Sequence, residues 1–346
     1  MQKRLLYIVS ILIFLFAINT DNSKANNSSI AALTKVQNQD LINCGFRSTC
    51  ILDLLEGDSG SLSQLKANEQ IYFKFIINSN AGKVNCHTVT HLLGEWSYRR
   101  YKISAFLPND NNCLGGYTHG FLIAMSHNYK NLNVAYANMN KLCMSETNSN
   151  SMNQCFHGIG HSLVYTSKNL RNSLLLCSSN KKEDLSSICI DGAAMEYVNS
   201  VLKKEVNINS LVSLCEIFKN NKTYSRECLS QILQYKNQSY DKIFSLSRSC
   251  IKFIGSVKDG CEEALGYVVA NSNYSVLKNN INIFPLLIKS YCDKNNSYWC
   301  INALAARTLT LTFNSTQLIK SCNDLLPKET NICRFSLKKV QKFMSE

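Results

Sequence analysis

Five of the six histidines in the chain fall into three short segments, and each segment begins with a cysteine. The segments read CHTVTHLLGEW, CLGGYTHGFL and CFHGIGHSL, and their histidines are His87, His91, His119, His157 and His161. Neutral imidazole is the commonest metal ligand in proteins, because one of its two ring nitrogens carries a lone pair. The clustering predicts a metal site, with hydrogen bonding or core packing as the alternative use.

The spacing of these histidines is helical. His87 and His91, like His157 and His161, are four residues apart, which places each pair on one face of a helix. His119 and His161 each stand six residues after a cysteine. Zinc proteases also use two histidines four apart, but they need a glutamate between them. Since the intervening residues are TVT and GIG, that class is excluded.

Carboxylates in neighbouring segments extend the candidate site. Asp191 follows Cys189 by two residues, as His157 follows Cys155. We therefore expect Asp191 to join the five histidines as a ligand, and Glu196 to serve as a catalytic base. Glu95 is a further candidate ligand or hydrogen-bond acceptor. Imidazole with carboxylate suits Zn, Fe, Cu or Ni, so the expected cofactor is a transition metal ion, with Zn, Fe or Cu preferred.

Glycines surround the histidines, although glycine inside a helix costs about 0.5–1 kcal/mol relative to alanine. Gly120, Gly158 and Gly160 lie next to or between them. They leave room either for a neighbouring helix to approach closely or for a ligand to reach the metal.

The cysteines from residue 143 onward fall into pairs whose members are 8 to 13 residues apart. Apolar residues three or four positions before most first members place those cysteines near helix ends. We expect each pair to form a disulfide that joins the end of one helix to the start of the next. The predicted pairs are Cys143–Cys155, Cys177–Cys189, Cys215–Cys228, Cys250–Cys261, Cys292–Cys300 and Cys322–Cys333.

The four earlier cysteines, Cys44, Cys50, Cys86 and Cys113, predict two further bridges, with Cys44–Cys50 as one plausible pair. The total is then about eight disulfides. Sequence spacing alone does not fix the connectivity of so many cysteines.

First members of the pairs recur after 34, 38, 35, 42 and 30 residues, and periods in this range are typical of helical solenoids. The predicted fold class is an all-α array of paired helices. In its spacing the chain resembles secreted, disulfide-stapled tetratricopeptide-like repeat proteins over residues 80 to 340, although it lacks their Trp, Gly and Tyr signature. The resemblance implies a right-handed array with a concave binding surface.

The N-terminus predicts export. Lys3 and Arg4 precede an apolar run of 14 residues, from Leu5 to Ile18, which is short for a membrane span and typical of a signal peptide. An uncleaved anchor is the alternative. The 16 cysteines fit an oxidising compartment. Asn-x-Ser/Thr triplets, which would accept glycans, begin at Asn26, Asn27, Asn221, Asn237, Asn273, Asn295 and Asn314.

The expected organisation has four parts: a signal peptide (1–25), an irregular N-terminal region with one helix (26–80), His-rich repeats (81–200) and a His-free scaffold (201–346). A net charge of +13 is spread along the chain, without the basic and aromatic run of a nucleic-acid site. We expect no membrane span after the signal.

Three functions fit this sequence: a metal-dependent enzyme, a metal carrier or sensor, and a non-catalytic scaffold of the cell surface. The scaffold would bind an envelope protein, a peptide or a glycan.

Overall fold

The computed structural model describes residues 82–109, 112–202, 208–236, 240–292, 297–312 and 314–344. Throughout these ranges the chain is helical and contains no strand, so the predicted all-α class is confirmed. The predicted signal peptide and N-terminal region lie outside the described residues.

The described residues form fifteen α-helices. In chain order they are α1 (Gly82–Tyr101), α2 (Gly116–Ser126), α3 (Leu132–Cys143), α4 (Ser149–Ser167), α5 (Leu170–Ser178), α6 (Glu183–Glu196), α7 (Ile208–Cys215), α8 (Lys222–Lys236), α9 (Tyr240–Cys250), α10 (Gly255–Ser272), α11 (Tyr274–Asn279), α12 (Phe284–Leu287), α13 (Tyr298–Thr312), α14 (Ser315–Ser321) and α15 (Pro327–Met344).

Asparagine side chains start several of these helices. Asn131 accepts hydrogen bonds from the amides of Asn133 and Val134 at the start of α3, and Asn169 accepts one from Asn172 at the start of α5. Each bond satisfies an amide that the first helical turn leaves without a partner. The asparagine-rich composition therefore has a structural use in ending loops and beginning helices.

All six predicted disulfides are present, with Cα–Cα distances from 5.3 to 5.9 Å. Cys143, Cys215 and Cys250 are the last residues of α3, α7 and α9, and their partners lie inside the following helices. A bridge of this kind fixes the loop between two helices. Cys113 is also disulfide-bonded, whereas the predictions for Cys44, Cys50 and Cys86 fall outside the described side chains.

The chain divides into two compact units at Thr166 and Ser167. The described part of the first unit runs from residue 82 to 166 and holds α1 to α4. The second unit, from residue 167 onward, holds α5 to α15. The expected change from His-rich to His-free repeats near residue 200 is a change in composition, and it falls within the second unit.

Alternate helices of the second unit pack on one another in series. Helix α6 contacts α8, α8 contacts α10, α10 contacts α13, and α13 contacts α15. Helices α5, α7 and α9 pack on α6, α8 and α10, each joined to its neighbour by a disulfide. The bridging cysteines are buried, so the bridges belong to the core.

In the first unit, α1 and α2 pack so closely that their backbones touch. A Cβ atom on Gly94 would overlap the carbonyl oxygen of Tyr117, and one on Gly120 would overlap that of His91. The two glycines thus allow a closer approach than any residue with a side chain would permit.

Within the described residues, no helix combines the length and the apolar character needed to cross a bilayer.

Candidate metal centre

Five imidazole rings converge in the first unit, and His119 lies at their centre. Its ring centroid is 5.2 Å from that of His87, 6.3 Å from His91, 5.3 Å from His157 and 5.2 Å from His161. Helix α1 supplies His87 and His91, α2 supplies His119, and α4 supplies His157 and His161. The five side chains that the sequence grouped therefore lie close together, and their use as metal ligands stays a prediction.

Three of the rings bring a nitrogen each to within reach of a common ion. His87, His91 and His119 each offer a ring nitrogen, and these nitrogens all lie within 4.8 Å of one another. Tetrahedral zinc, with Zn–N bonds of 2.0–2.1 Å, needs its nitrogen ligands about 3.3 Å apart. Nitrogens that lie farther apart than this would have to move closer together when an ion binds.

A backbone carbonyl fixes the tautomer of His87. Its Nδ1 lies 2.9 Å from the carbonyl oxygen of Cys113. Because a carbonyl only accepts hydrogen bonds, Nδ1 carries the proton and Nε2 carries the lone pair. Metal-binding histidines commonly donate their other ring nitrogen to such an acceptor, which orients the ring and makes it more basic.

His119 shows the same arrangement with the two nitrogens exchanged. Its Nε2 donates to the carbonyl oxygen of Gln154 at 3.0 Å, which leaves the lone pair on Nδ1. The residue is fully buried, and Nδ1 has no hydrogen-bond partner among the described residues. Leaving a buried polar atom unsatisfied costs about 1–3 kcal/mol, so this nitrogen calls for a specific explanation.

His157 and His161 face each other along α4. Their Nε2 atoms are 3.0 Å apart, and both residues are buried. This separation suits an N–H···N hydrogen bond, in which one ring donates to the other. It is also close to the separation of two imidazole ligands on one ion, so the pair could exchange the shared proton for a metal.

His91 lies on the more open side of the cluster. Its side chain is 22% exposed, and Nδ1 lies 3.8 Å from a carboxylate oxygen of Glu95. The other oxygen of Glu95 is paired with Arg99 at 3.2 Å. Glu95 therefore sits behind the His91 ring, where a carboxylate orients a ligand, rather than among the three converging nitrogens.

Burial keeps the inner histidines neutral. Removal from water, together with the neighbouring imidazoles, lowers the pKa of His87 to about 4, despite the opposing effect of its bond to Cys113. Burial and the same neighbours hold the pKa of His119 well below its usual value of 6.5. Both rings are deprotonated at neutral pH, which is the state that a metal needs.

The glycines of the cluster serve close packing. Gly120 faces the His91 carbonyl, and a Cβ atom on Gly158 would lie 2.6 Å from Cδ2 of the His119 ring. Of the two uses that the sequence left open, these contacts support the approach of neighbouring elements. They also set the distances between the rings.

Two of the three predicted carboxylates, Asp191 and Glu196, belong to the second unit. Asp191 is buried in α6, where it interacts electrostatically with the hydroxyl groups of Tyr235 and Tyr267. Glu196 is the last residue of the same helix and is half-buried. Among the described residues, the three ligand atoms that lie within 4.8 Å of one another all belong to imidazoles. His127, which the sequence did not place in the site, is exposed and contacts Tyr165.

Two participants could not have been found from side-chain patterns. The carbonyl groups of Cys113 and Gln154 select the nitrogen that each histidine presents, and every residue has a carbonyl. Their position depends on the tertiary fold. The one available signal was that both residues lie at or beside a cysteine.

Comparison of the chain with protein-family models, with curated proteins and with solved structures found no match.

Proposed function

We propose that the five-histidine cluster binds a transition metal ion, and that the protein is an exported metal-binding protein built from helical repeats. The observation that carries this proposal is Nδ1 of His119, a buried lone pair without a hydrogen-bond partner among the described residues. One ring nitrogen of His119 lies within 4.8 Å of ligand nitrogens on His87 and His91. A bound cation would satisfy it.

The donor set narrows the choice of metal. Imidazole nitrogens favour Zn, Cu or Fe over Ca and Mg, which prefer oxygen ligands. Among the residues that the structure describes, disulfides occupy the cysteines that would otherwise offer thiolate. Asp191 and Glu196 are not needed for this set, and their proposed roles as ligand and base remain predictions from the sequence.

The number of ligands separates a catalyst from a carrier. An ion held by His87, His91 and His119 alone keeps a fourth position for water, as catalytic zinc does, and such an ion lowers the pKa of the bound water. A carrier or sensor would close the coordination with His157 or His161. The partly exposed His91 offers a side from which a substrate could approach.

Elemental analysis of the native, oxidised, tag-free protein tests the proposal. We expect about one transition metal ion per chain, and we expect His119→Ala to lose it while the circular dichroism spectrum keeps its helical content. His127→Ala, which changes an exposed histidine of the same unit, should retain the metal. Equal metal content in His119→Ala and the native protein would show that the cluster is a packing feature.

A non-catalytic scaffold is the second candidate. The second unit has no histidine and exposes several large apolar side chains, among them Ile254 at 85% and Leu286 at 61%. A contiguous patch of such side chains would mark a site that binds proteins or other ligands. A scaffold would bind its protein, peptide or glycan partner equally well with and without metal, whereas a metal-dependent function would be lost with the ion.

Export is part of the proposal. Six disulfides in the described residues are typical of a protein from an oxidising compartment. The signal peptide, the glycans and the solenoid arrangement of the repeats are proposed with it.

A further inference from the structure

The second unit contains two arginines that are largely withdrawn from water, and they differ in their partners. Arg226 is paired with Glu227 at 2.7 Å and with Glu263 at 3.1 Å, and its guanidinium lies 3.9 Å from the ring centroid of Trp299. Its charge is therefore balanced inside the protein. Such pairing is what a buried charge ordinarily requires.

The positive charge of Arg307, on α13, has no carboxylate partner of this kind among the described residues. Its Nε donates to the side-chain oxygen of Asn271 on α10 at 2.7 Å. Among the residues that the structure describes, no carboxylate forms an ion pair with it. The two terminal nitrogens of the guanidinium make no hydrogen bond within that same set. The edge that ordinarily receives a carboxylate is thus available.

Two tyrosines complete the surroundings of Arg307. Tyr235 on α8 and Tyr267 on α10 both interact with it electrostatically. Burial raises the pKa of both hydroxyl groups, so both stay protonated at neutral pH. They are neutral hydrogen-bond donors and do not neutralise the cation.

The group is reachable from solvent. Arg307, Asn271 and Tyr235 are each partly exposed, whereas Tyr267 is buried. Burial lowers the pKa of Arg307, which reflects the cost of holding this charge away from water. An anion entering from the open side would offset that cost.

We propose that Arg307, held by Asn271 and flanked by Tyr235 and Tyr267, binds the carboxylate group of a small molecule. The planar guanidinium presents two parallel N–H groups that match a carboxylate. A singly charged group fits better than a phosphate dianion, because Asp191 interacts with the same two tyrosines and its negative charge opposes a second one. The proposal is independent of the metal site.

Chemical protection of Arg307 provides the test. The full-length oxidised protein is treated with phenylglyoxal, which modifies arginines, in acetate, chloride or phosphate at equal ionic strength. Peptide mass spectrometry then follows each arginine separately. We expect acetate to protect Arg307 saturably, with about threefold slower modification when acetate is at twice its Kd. Arg171, an exposed arginine of the same unit, is the internal control and should react equally in all three salts.

The variant Asn271→Asp provides a second test of the carboxylate site. It places a carboxylate against Nε of Arg307 and should abolish protection by acetate while leaving the arginine and the fold, checked by circular dichroism, in place. In the native chain, the proposal is overturned if acetate gives no saturable protection, if phosphate protects better than acetate, or if Arg171 is protected equally. It is also overturned if acetate protects Arg307 in Asn271→Asp as well as in the native chain.

Discussion

The ring centroid of His119 lies within 6.3 Å of those of all four other clustered histidines. A backbone carbonyl accepts a hydrogen bond from its Nε2, which leaves the lone pair on the buried Nδ1. At the scale of single residues, the metal proposal therefore depends on tautomers as well as on the presence of histidines.

Glu95 is expected to tune the affinity for metal without binding it. The substitution Glu95→Gln removes the negative charge 3.8 Å from Nδ1 of His91, and the loss of such an orienting carboxylate typically weakens metal binding about 10- to 100-fold. A competition titration with a chromophoric chelator measures the change. Glu216→Gln, at an exposed position of the second unit, should have no effect. An unchanged affinity in Glu95→Gln would remove Glu95 from the site.

Acid should destabilise the metal-free protein. The pKa of His87 is about 4 in the folded chain and about 6.5 when unfolded. Between these values the unfolded state binds more protons, so the free energy of unfolding falls as the pH falls. The slope is up to about 1.4 kcal/mol per pH unit for each such histidine, and His119 adds to it.

Urea denaturation with chelator present, at pH 7 and pH 5, measures this loss. His127→Ala, which changes an exposed ring, should show the same pH dependence as the native chain, whereas His119→Gln should show a weaker one. A protein equally stable at both pH values would mean that the rings are not held neutral by burial.

At the residue scale, the sequence predicted which histidines meet because all five fall in three short segments that each begin with a cysteine. It could not predict that Asp191 interacts with Tyr235 and Tyr267. Asp191 and His157 each stand two residues after a cysteine, so they hold equivalent positions in successive repeats. Equivalent positions do not specify which side chains become neighbours in the folded protein.

At the scale of elements, the separation of α1 and α2 sets the size of the cluster. Gly120→Ala would drive a Cβ atom into the carbonyl oxygen of His91 and so push the two helices apart. We expect a loss of about 1–3 kcal/mol of stability, with a loss of metal binding. Calorimetry and metal titration measure the two effects.

Gly266→Ala is the matched control, because its Cβ atom would overlap the Cys300 carbonyl at the α10–α13 contact of the second unit. It should destabilise the protein to a similar degree but leave metal binding intact. The role given to the α1–α2 contact would be wrong if Gly120→Ala kept full metal affinity.

The bridge between Cys143 and Cys155 joins α3 to the helix that carries His157 and His161. Replacing both cysteines by alanine opens a loop with a sequence separation of 12 residues, for which we expect a loss of about 3 kcal/mol. Urea denaturation checks this value. Removing Cys322 and Cys333 should cost a similar amount but spare metal binding, and equal effects on the metal would contradict the local role of the first bridge.

The helices and bridges were the most predictable part of the fold. Each disulfide joins neighbouring helices over 8 to 13 residues, so local spacing was enough to find it. The close contact at Gly120 was less predictable, since a glycine in a helix is equally compatible with an open space and with a packed backbone.

At the scale of the whole molecule, the two units divide the proposed tasks. The histidines lie in the first unit and the Arg307 group in the second. Composition placed a boundary near residue 200, whereas the compact units meet at 166–167. Composition records only which residues a segment contains. A compact unit is defined by which helices pack together, and the sequence alone did not show that packing.

Export predicts a defined mature protein. Expressed through a secretory pathway, the chain should begin at about residue 26 after signal cleavage, and it should lose the mass of two hydrogens for each disulfide. Intact mass spectrometry before and after deglycosylation measures both. A mature chain that still begins at Met1 would favour the uncleaved anchor, and free thiols would argue against an oxidising compartment.

X-ray absorption at the metal edge of the native protein tests the central claim most directly. We predict three to five nitrogen ligands at about 2.0–2.1 Å, with the multiple scattering of imidazole rings and no sulfur. Three imidazoles with one oxygen would indicate an open position, and four or five would indicate a carrier. A protein isolated without any transition metal, or an ion surrounded by oxygen alone, would contradict the assignment.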